Sequence, residues 1–171
     1  MDENPSLAER EKLRKKDLEM ELDPATGLKQ PGMGVQLSLS LALPYLEQDR
    51  LDEAEALFAR LAKINKVPEY HTLGLLGEGI VLALRDRPRE SMQRFWKVQP
   101  RKEEVAKGRV LQNLLHSNRD LVKWVAEAAD HNKANLGPAS RLSPPWLNRL
   151  LNPNAKWPGG KPRGDKKPGS K

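Results

Sequence analysis

The chain has 171 residues, no cysteine, 31% charged and 5% aromatic residues, and a net charge of +7. That length fits one domain with a real core and is short for two, while the missing cysteine excludes disulfides, thiolate nucleophiles and cysteine-zinc sites. With so few aromatic side chains, burial must rest on leucine and alanine, which favours helices because unbranched side chains lose little rotamer freedom in them.

No run of about 18 apolar residues occurs, so no membrane span is expected. The segment Met1-Asp2-Glu3-Asn4-Pro5 lacks the apolar stretch of a signal peptide. The expectation is a soluble, cytoplasmic protein. Residues 6–22 read as a charged helix. Ser6 with Glu9 makes a capping-box pattern, and Glu11 with Lys15 makes a favourable pair one turn apart. Leu7, Leu13, Leu18 and Leu22 form no continuous stripe, so this helix is expected to be solvated or lightly docked. Pro24, Gly27, Pro31, Gly32 and Gly34 mark residues 23–34 as a linker, which makes 1–34 a charged arm ahead of the core.

Residues 35–43, Val-Gln-Leu-Ser-Leu-Ser-Leu-Ala-Leu, alternate with the period of a half-buried strand. A helix is nevertheless predicted, because the apolar residues are mostly leucine and because Leu37, Leu41 and Tyr45 also follow an i, i+4 row. Pro44 should kink that helix or end it early. One period later, residues 73–84 are apolar on nearly every side and read as a buried helix. Gly74, Gly77 and Gly79 weaken it unless a neighbouring helix approaches closely, at Gly79 opposite Ser91. Asp49 and Asp86 are placed to cap the helices that follow them.

Asp49-Arg50-Leu51-Asp52-Glu53 and the helix after it return 37 residues later as Asp86-Arg87-Pro88-Arg89-Glu90, each run ending on a phenylalanine, a base and an aliphatic residue. A fixed period of this length is how stacked helical hairpins appear in sequence. In the first unit Ala42, Tyr45, Ala54 and Phe58, and in the second Gly79, Leu82, Ser91 and Phe95, follow an alternation of small and large residues at matched intervals. On these residues, 35–100 resembles two tetratricopeptide repeats. The resemblance implies an all-α fold, a short α-solenoid of antiparallel helical hairpins over 35–136, and a concave surface lined by the first helix of each hairpin. Gln36, Leu39 and Leu43, with Leu73, Leu76 and Ile80, are the residues it places on that surface, as a largely apolar groove for a peptide or helix of a partner protein. The same leucines can equally be core. The lysine and asparagine set with which some members clamp a terminal carboxylate is missing.

Val105, Val110, Leu111, Leu114 and Leu115, then Leu121, Val122, Val125, Ala128 and Ala129, give a third, degenerate hairpin closed by Gly137 and Pro138. Residues 137–151 hold a linker and a short helix that starts at Ser143-Pro144-Pro145-Trp146. Trp146, Leu147, Leu150 and Leu151 form its apolar face, which either caps the array or occupies its groove. Residues 152–171 are expected to be a disordered basic tail. Lys156, Lys161, Arg163, Lys166, Lys167 and Lys171 stand against Asp165 alone, a net +5 of the chain's +7. The tail either solvates the chain or attracts nucleic acid weakly and without sequence preference.

His71, His116 and His131 lie in separate segments without a second ligand at helical spacing, so no metal is predicted. Glu78, inside an apolar stretch, reads as a groove-facing or snorkelling carboxylate. With no phosphate loop and no nucleophile motif, neither catalysis nor a cofactor is expected. The function expected is that of a non-catalytic protein-interaction adaptor or scaffold, the alternative a nucleic-acid-associated protein acting through its tail. Oligomeric state is open.

Overall fold

Ser6 starts the first helix in the way its sequence dictates: its Oγ accepts from the Glu9 amide at 3.1 Å, and the Glu9 carboxylate accepts from the Ser6 amide at 2.8 Å. The structure, a computed structural model, describes residues 6–98, 110–137 and 143–151. Among them are eight helices and no strand: α1 (Leu7–Leu22), α2 (Pro31–Glu47), α3 (Leu51–Ala62), α4 (Pro68–Leu84), α5 (Pro88–Trp96), α6 (Val110–Ser117), α7 (Arg119–Leu136) and α8 (Pro145–Leu151). Sequential helices pack on their neighbours, so the expected all-α fold holds. The alternating stretch 35–43 is helical because leucine packs as well on an i, i+4 row as on a pleat, and a helix satisfies its own backbone. The chain divides into two compact units, Met1–Gly77 and Glu78–Lys171, the boundary falling inside α4.

In the first unit α1 is docked on α2 rather than left in solvent, with Leu18, Glu21 and Leu22 buried. Glu11, Leu18 and Leu22 share one helical face; Leu13 falls on another, and Leu7, 80% exposed, extends past the contact. The linker is shorter than expected. Pro31 occupies the first turn of α2, a position its fixed φ suits, and Gly32 and Gly34 are already helical. Gly34 is needed there because a Cβ would coincide with the Tyr70 hydroxyl. Pro44 neither ends nor shortens the helix, which runs on to Glu47. Placed in the last turn, proline forfeits a single hydrogen bond.

Asp49 and Asp86 do not cap the helices that follow. Each instead terminates the helix before it, in the left-handed region at φ 60° and 61°. The Asp49 amide bonds to the Leu46 carbonyl (3.2 Å) and the Arg50 amide to the Tyr45 carbonyl (2.7 Å); the Asp86 amide bonds to Ala83 (3.0 Å) and the Arg87 amide to Leu82 (2.9 Å). These paired bonds make a Schellman ending, and aspartate is among the few residues other than glycine that visit this region readily. Arg50 and Arg87 take the N-cap positions of α3 and α5, and neither supplies a side-chain cap.

The glycines of α4 are explained by what lies against them. A Cβ on Gly74 would come within 2.2 Å of the Ala62 amide nitrogen, and one on Gly77 within 2.0 Å of the Phe58 ring. Both belong to the first unit, where the backbone of α3 lies almost against that of α4. In the second unit the Phe95 ring fills the same kind of notch at Gly79, and Ser91 Oγ donates to the Gly79 carbonyl at 2.6 Å.

The rest of the second unit is the hairpin of α6 and α7, then α8. Leu111, Leu114 and Leu115 face Leu121, Val125, Ala128 and Ala129 in its core, and α7 also packs on α5. Gly137, at φ 56°, ends α7. Trp146 stands edge-on to Phe95, rings 5.9 Å apart, and its Nε1–H donates to the Phe95 carbonyl at 3.2 Å. With Leu147 and Leu150 also buried, α8 packs on α7 and reaches α5. Val105, Pro138 and the basic residues Lys156, Lys161, Arg163, Lys166, Lys167 and Lys171 lie outside the described residues.

Candidate interaction surface

In the first unit the Arg50 side chain gathers three elements. Its Nε and Nη2 grip Glu53, one turn into α3, at 2.6 and 2.7 Å. Nη1 and Nη2 also reach Glu11 of α1 at 3.1 and 3.0 Å, and Nη1 donates to Gln48 Oε1 at 3.1 Å. Below the guanidinium lies the Tyr45 ring, 4.5 Å from its carbon, with Lys15 at 5.8 Å. The Arg50 hydrogen bonds hold the Glu11 carboxyl down to about 2, with Lys15 adding to the effect against some desolvation. They also hold Glu53 below the ordinary carboxylate range. Lys15 is raised by its bond to Glu11, and burial raises Tyr45. A helix outside the repeated segments is thus seated on the first hairpin through one glutamate, one arginine and a short leucine face. A second ion pair, Arg60 with Glu19, holds the same helix further along.

The second unit repeats that turn with the same backbone and the same fork: Arg87 Nε and Nη2 hold Glu90 at 2.5 and 2.7 Å. The surroundings differ. Leu82 stands where Tyr45 stood and Arg85 where Gln48 stood, and no described carboxylate other than Glu90 reaches Arg87. Its side chain is 53% exposed against 31% for Arg50. Beside it opens a shallow cavity of about 350 Å³ lined by Arg87, Pro88, Arg89, Glu90, Asn135 and Leu136. The α7 wall of this cavity is fixed by Asn135 Nδ2 donating to the His131 carbonyl (2.7 Å) and by His131 Nε2 against Asp86 Oδ1 (3.1 Å).

The residues assigned to an apolar groove are not brought together as a lining. Leu39 is 3% exposed, and Leu73, Leu76 and Ile80 are 0% exposed, so all four are core. Gln36 is exposed and Leu43 half-buried on α2. The cause is the close packing at the α4 glycines: a helix this near its neighbours spends its leucines on them. The repeat-signature residues Ala42, Tyr45, Ala54 and Phe58 are buried in the first unit, and Gly79, Leu82, Ser91 and Phe95 in the second. Glu78 is paired with Arg94 at 3.2 Å, the partner that its lone place in an apolar stretch did not reveal.

Two buried polar clusters also went unread in the sequence. Glu21 accepts from the Tyr70 hydroxyl at 2.6 Å and from the Lys29 and Gln30 amides at 3.2–3.3 Å, tying the end of α1 to the start of α2 and to α4. Burial, then the bond to Glu21, pushes the Tyr70 phenol well up. Asn132 Nδ2 donates to Ser91 Oγ at 2.9 Å, completing a chain from α7 through α5 to α4, while Asn132 Oδ1 has no partner among the described groups. The residue three ahead of each fork glutamate was the available signal for the turns; nothing local signalled Tyr70–Glu21, whose members are 49 residues apart.

Among the described residues no group of histidines and carboxylates could hold a metal ion, and no helix is long and apolar enough to cross a membrane. Compared with known proteins, the chain matches no family model, no curated protein and no solved structure.

Proposed function

We propose that this protein is a tetratricopeptide-like adaptor that binds a segment of another protein, with no chemistry of its own. The observation that supports the reading is the seating of α1. A helix from outside the repeated segments lies on the first hairpin, held by a carboxylate on Arg50 and by Leu18 and Leu22. Surfaces made of helical hairpins receive amphipathic helices in this manner. The polar groups of the interior are engaged in helix-to-helix ties such as Ser91 with Gly79 and Tyr70 with Glu21. The contact surface lies at the hairpin turns, not on the leucines of α2 and α4.

A photo-cross-linking residue placed at Asn135, with a second at exposed Lys66 as control, tests the reading in extracts of the source cells. A defined set of polypeptides from position 135 that position 66 does not yield is expected. The same set from both positions, or none from either, overturns it.

A further inference from the structure

We infer that the cavity at the second turn, between the start of α5 and the end of α7, is a binding site for a glutamate or aspartate side chain presented on a partner helix. This rests on the adaptor reading and specifies the chemistry of its contact. The reason is internal to the molecule. Two turns 37 residues apart share the left-handed aspartate, the paired amide bonds and the bidentate arginine-glutamate fork. In the first, the remaining guanidinium donors take a second carboxylate, Glu11 of α1, and a side-chain amide oxygen, Gln48. In the second, Arg85 replaces the amide, Arg89 adds a positive charge at the rim, and Arg87 faces a cavity of about 350 Å³.

Charge and shape select the occupant. Among the side chains that line the cavity Arg87 and Arg89 outnumber Glu90, and the Asp86 carboxylate beside it is turned onto His131, so an anionic group is attracted. The guanidinium has five donors in a planar fork that suits carboxylate oxygens. Arg87 at the N-cap supplies no side-chain cap to the first turn of α5, which adds the positive end of the helix to the same place. Leu136 supplies the apolar wall against which the methylenes of a glutamate can lie. Leu82 gives no ring to stack on, so the second site is weaker than the first and suits a partner that comes and goes. The chain's own α1 is not the occupant, since its Glu11 is already engaged at Arg50.

The test uses the full chain, labelled with nitrogen-15, and two acetylated, amidated alanine-based peptides of about 20 residues, long enough to be helical, each with leucines placed after the test position as Leu18 and Leu22 follow Glu11 in α1. One carries a central glutamate, the other glutamine. The amide signals of Arg87, Arg89, Asn135 and Leu136 should move with the glutamate peptide. Binding should be about twofold to fivefold weaker with the glutamine peptide, and weaker by a similar factor in Arg89→Gln, as for an exposed charge-assisted pair. Asn135→Asp, which puts a carboxylate in the cavity wall, should abolish the response while the rest of the spectrum stays unchanged. Equal response to both peptides, no movement of these signals at millimolar peptide, or no effect of either variant overturns the assignment. If cross-links from position 135 persist alongside that outcome, the adaptor reading stands and only the carboxylate chemistry falls. If they are absent too, both fall.

Discussion

Gly77→Ala, Gly74→Ala and Gly32→Ala place the same methyl group at three positions in the first unit and should have different effects. Exchange of glycine for alanine inside a helix is worth about 0.5–1 kcal/mol of propensity. At Gly32 no atom lies within 4 Å of the new Cβ, so that gain is expected in part or whole. At Gly77 the Cβ would lie 2.0–2.4 Å from three atoms of the Phe58 ring, which is fully buried. Overpacking of this kind costs about 1–3 kcal/mol, so the net change should be a loss of about 1–2 kcal/mol. At Gly74 the obstacle is the α3 backbone at Ala62 and Phe58, which cannot rotate aside, and the loss should be about 2–3 kcal/mol. Urea unfolding followed by helical circular dichroism reads all three, with about 2–4 °C of Tm per kcal/mol as a check. Phe58→Leu should rescue Gly77→Ala with a coupling of about 1 kcal/mol or more, because the two changes share one volume. If Gly77→Ala proves as stabilising as Gly32→Ala, or shows no coupling to position 58, the close approach of α3 and α4 is wrong.

The remaining predictions concern the polar ties. Glu11 titrates at about 2 in the folded chain against an ordinary 4.5, so the unfolded state binds more protons between those values and stability falls as pH falls through that window. Because Arg50 and Glu11 are both partly exposed, Glu11→Gln should remove only about 1 kcal/mol near pH 7 and flatten the acid slope, as acid titration of unfolding would show. Tyr70 keeps its proton above the ordinary phenol value, so above about pH 10 the unfolded chain releases a proton that the folded chain retains, and stability is lost as pH rises. Tyr70→Phe should lessen that alkaline loss by up to about 1.4 kcal/mol per pH unit, measured in unfolding curves from pH 9 to about 11. At neutral pH the same variant should cost about 1–3 kcal/mol by depriving the buried Glu21 of a donor. Ser91→Ala should lose about 1–3 kcal/mol, since it strands Asn132 Nδ2 and takes a second donor from the Gly79 carbonyl. Asn132→Leu, which removes an amide oxygen that has no described partner, should be closer to neutral. Equal losses from these two would show that the network does not bond as drawn.

What could be read in advance was local. The capping box at Ser6, the i, i+4 pair of Glu11 and Lys15, the helix across residues 35–43 and the glycine that ends α7 each depend on residues within a turn or two, and each is in place. The Asp-Arg pairs are legible as a repeat, but their aspartates end the preceding helix rather than cap the next one. Aspartate serves equally as an N-cap and as a left-handed C-terminal residue, and sequence spacing alone does not separate these. The groove was misjudged for a longer-range reason. Whether Leu73 and Leu76 line a surface depends on how near the next helix comes, and that distance is set by Gly74 and Gly77 meeting Ala62 and Phe58. The cavity beside Arg87 was not legible because its far wall, Asn135 and Leu136, comes from a helix about 50 residues downstream.

The two turns also suggest why one surface is occupied and its counterpart is open. Arg50 has acceptors at Glu53, Glu11 and Gln48 and a ring beneath it, so its donors are satisfied within the first unit and its charge is balanced by two carboxylates. Removing α1 from it would break the Arg50–Glu11 pair and uncover Leu18 and Leu22, and both losses favour the docked state. Arg87 retains the fork to Glu90 alone among described groups, in a cavity to which Arg89 adds a second positive charge. Its outer donors exchange water for a carboxylate at little cost in ordering, because Glu90 already fixes the side chain. A surface pair of this kind contributes about 0.2–1 kcal/mol by itself. Specific binding therefore has to add apolar contact along the partner helix, as Leu18 and Leu22 add it along α1, and partners that offer a glutamate without such a face should dissociate readily.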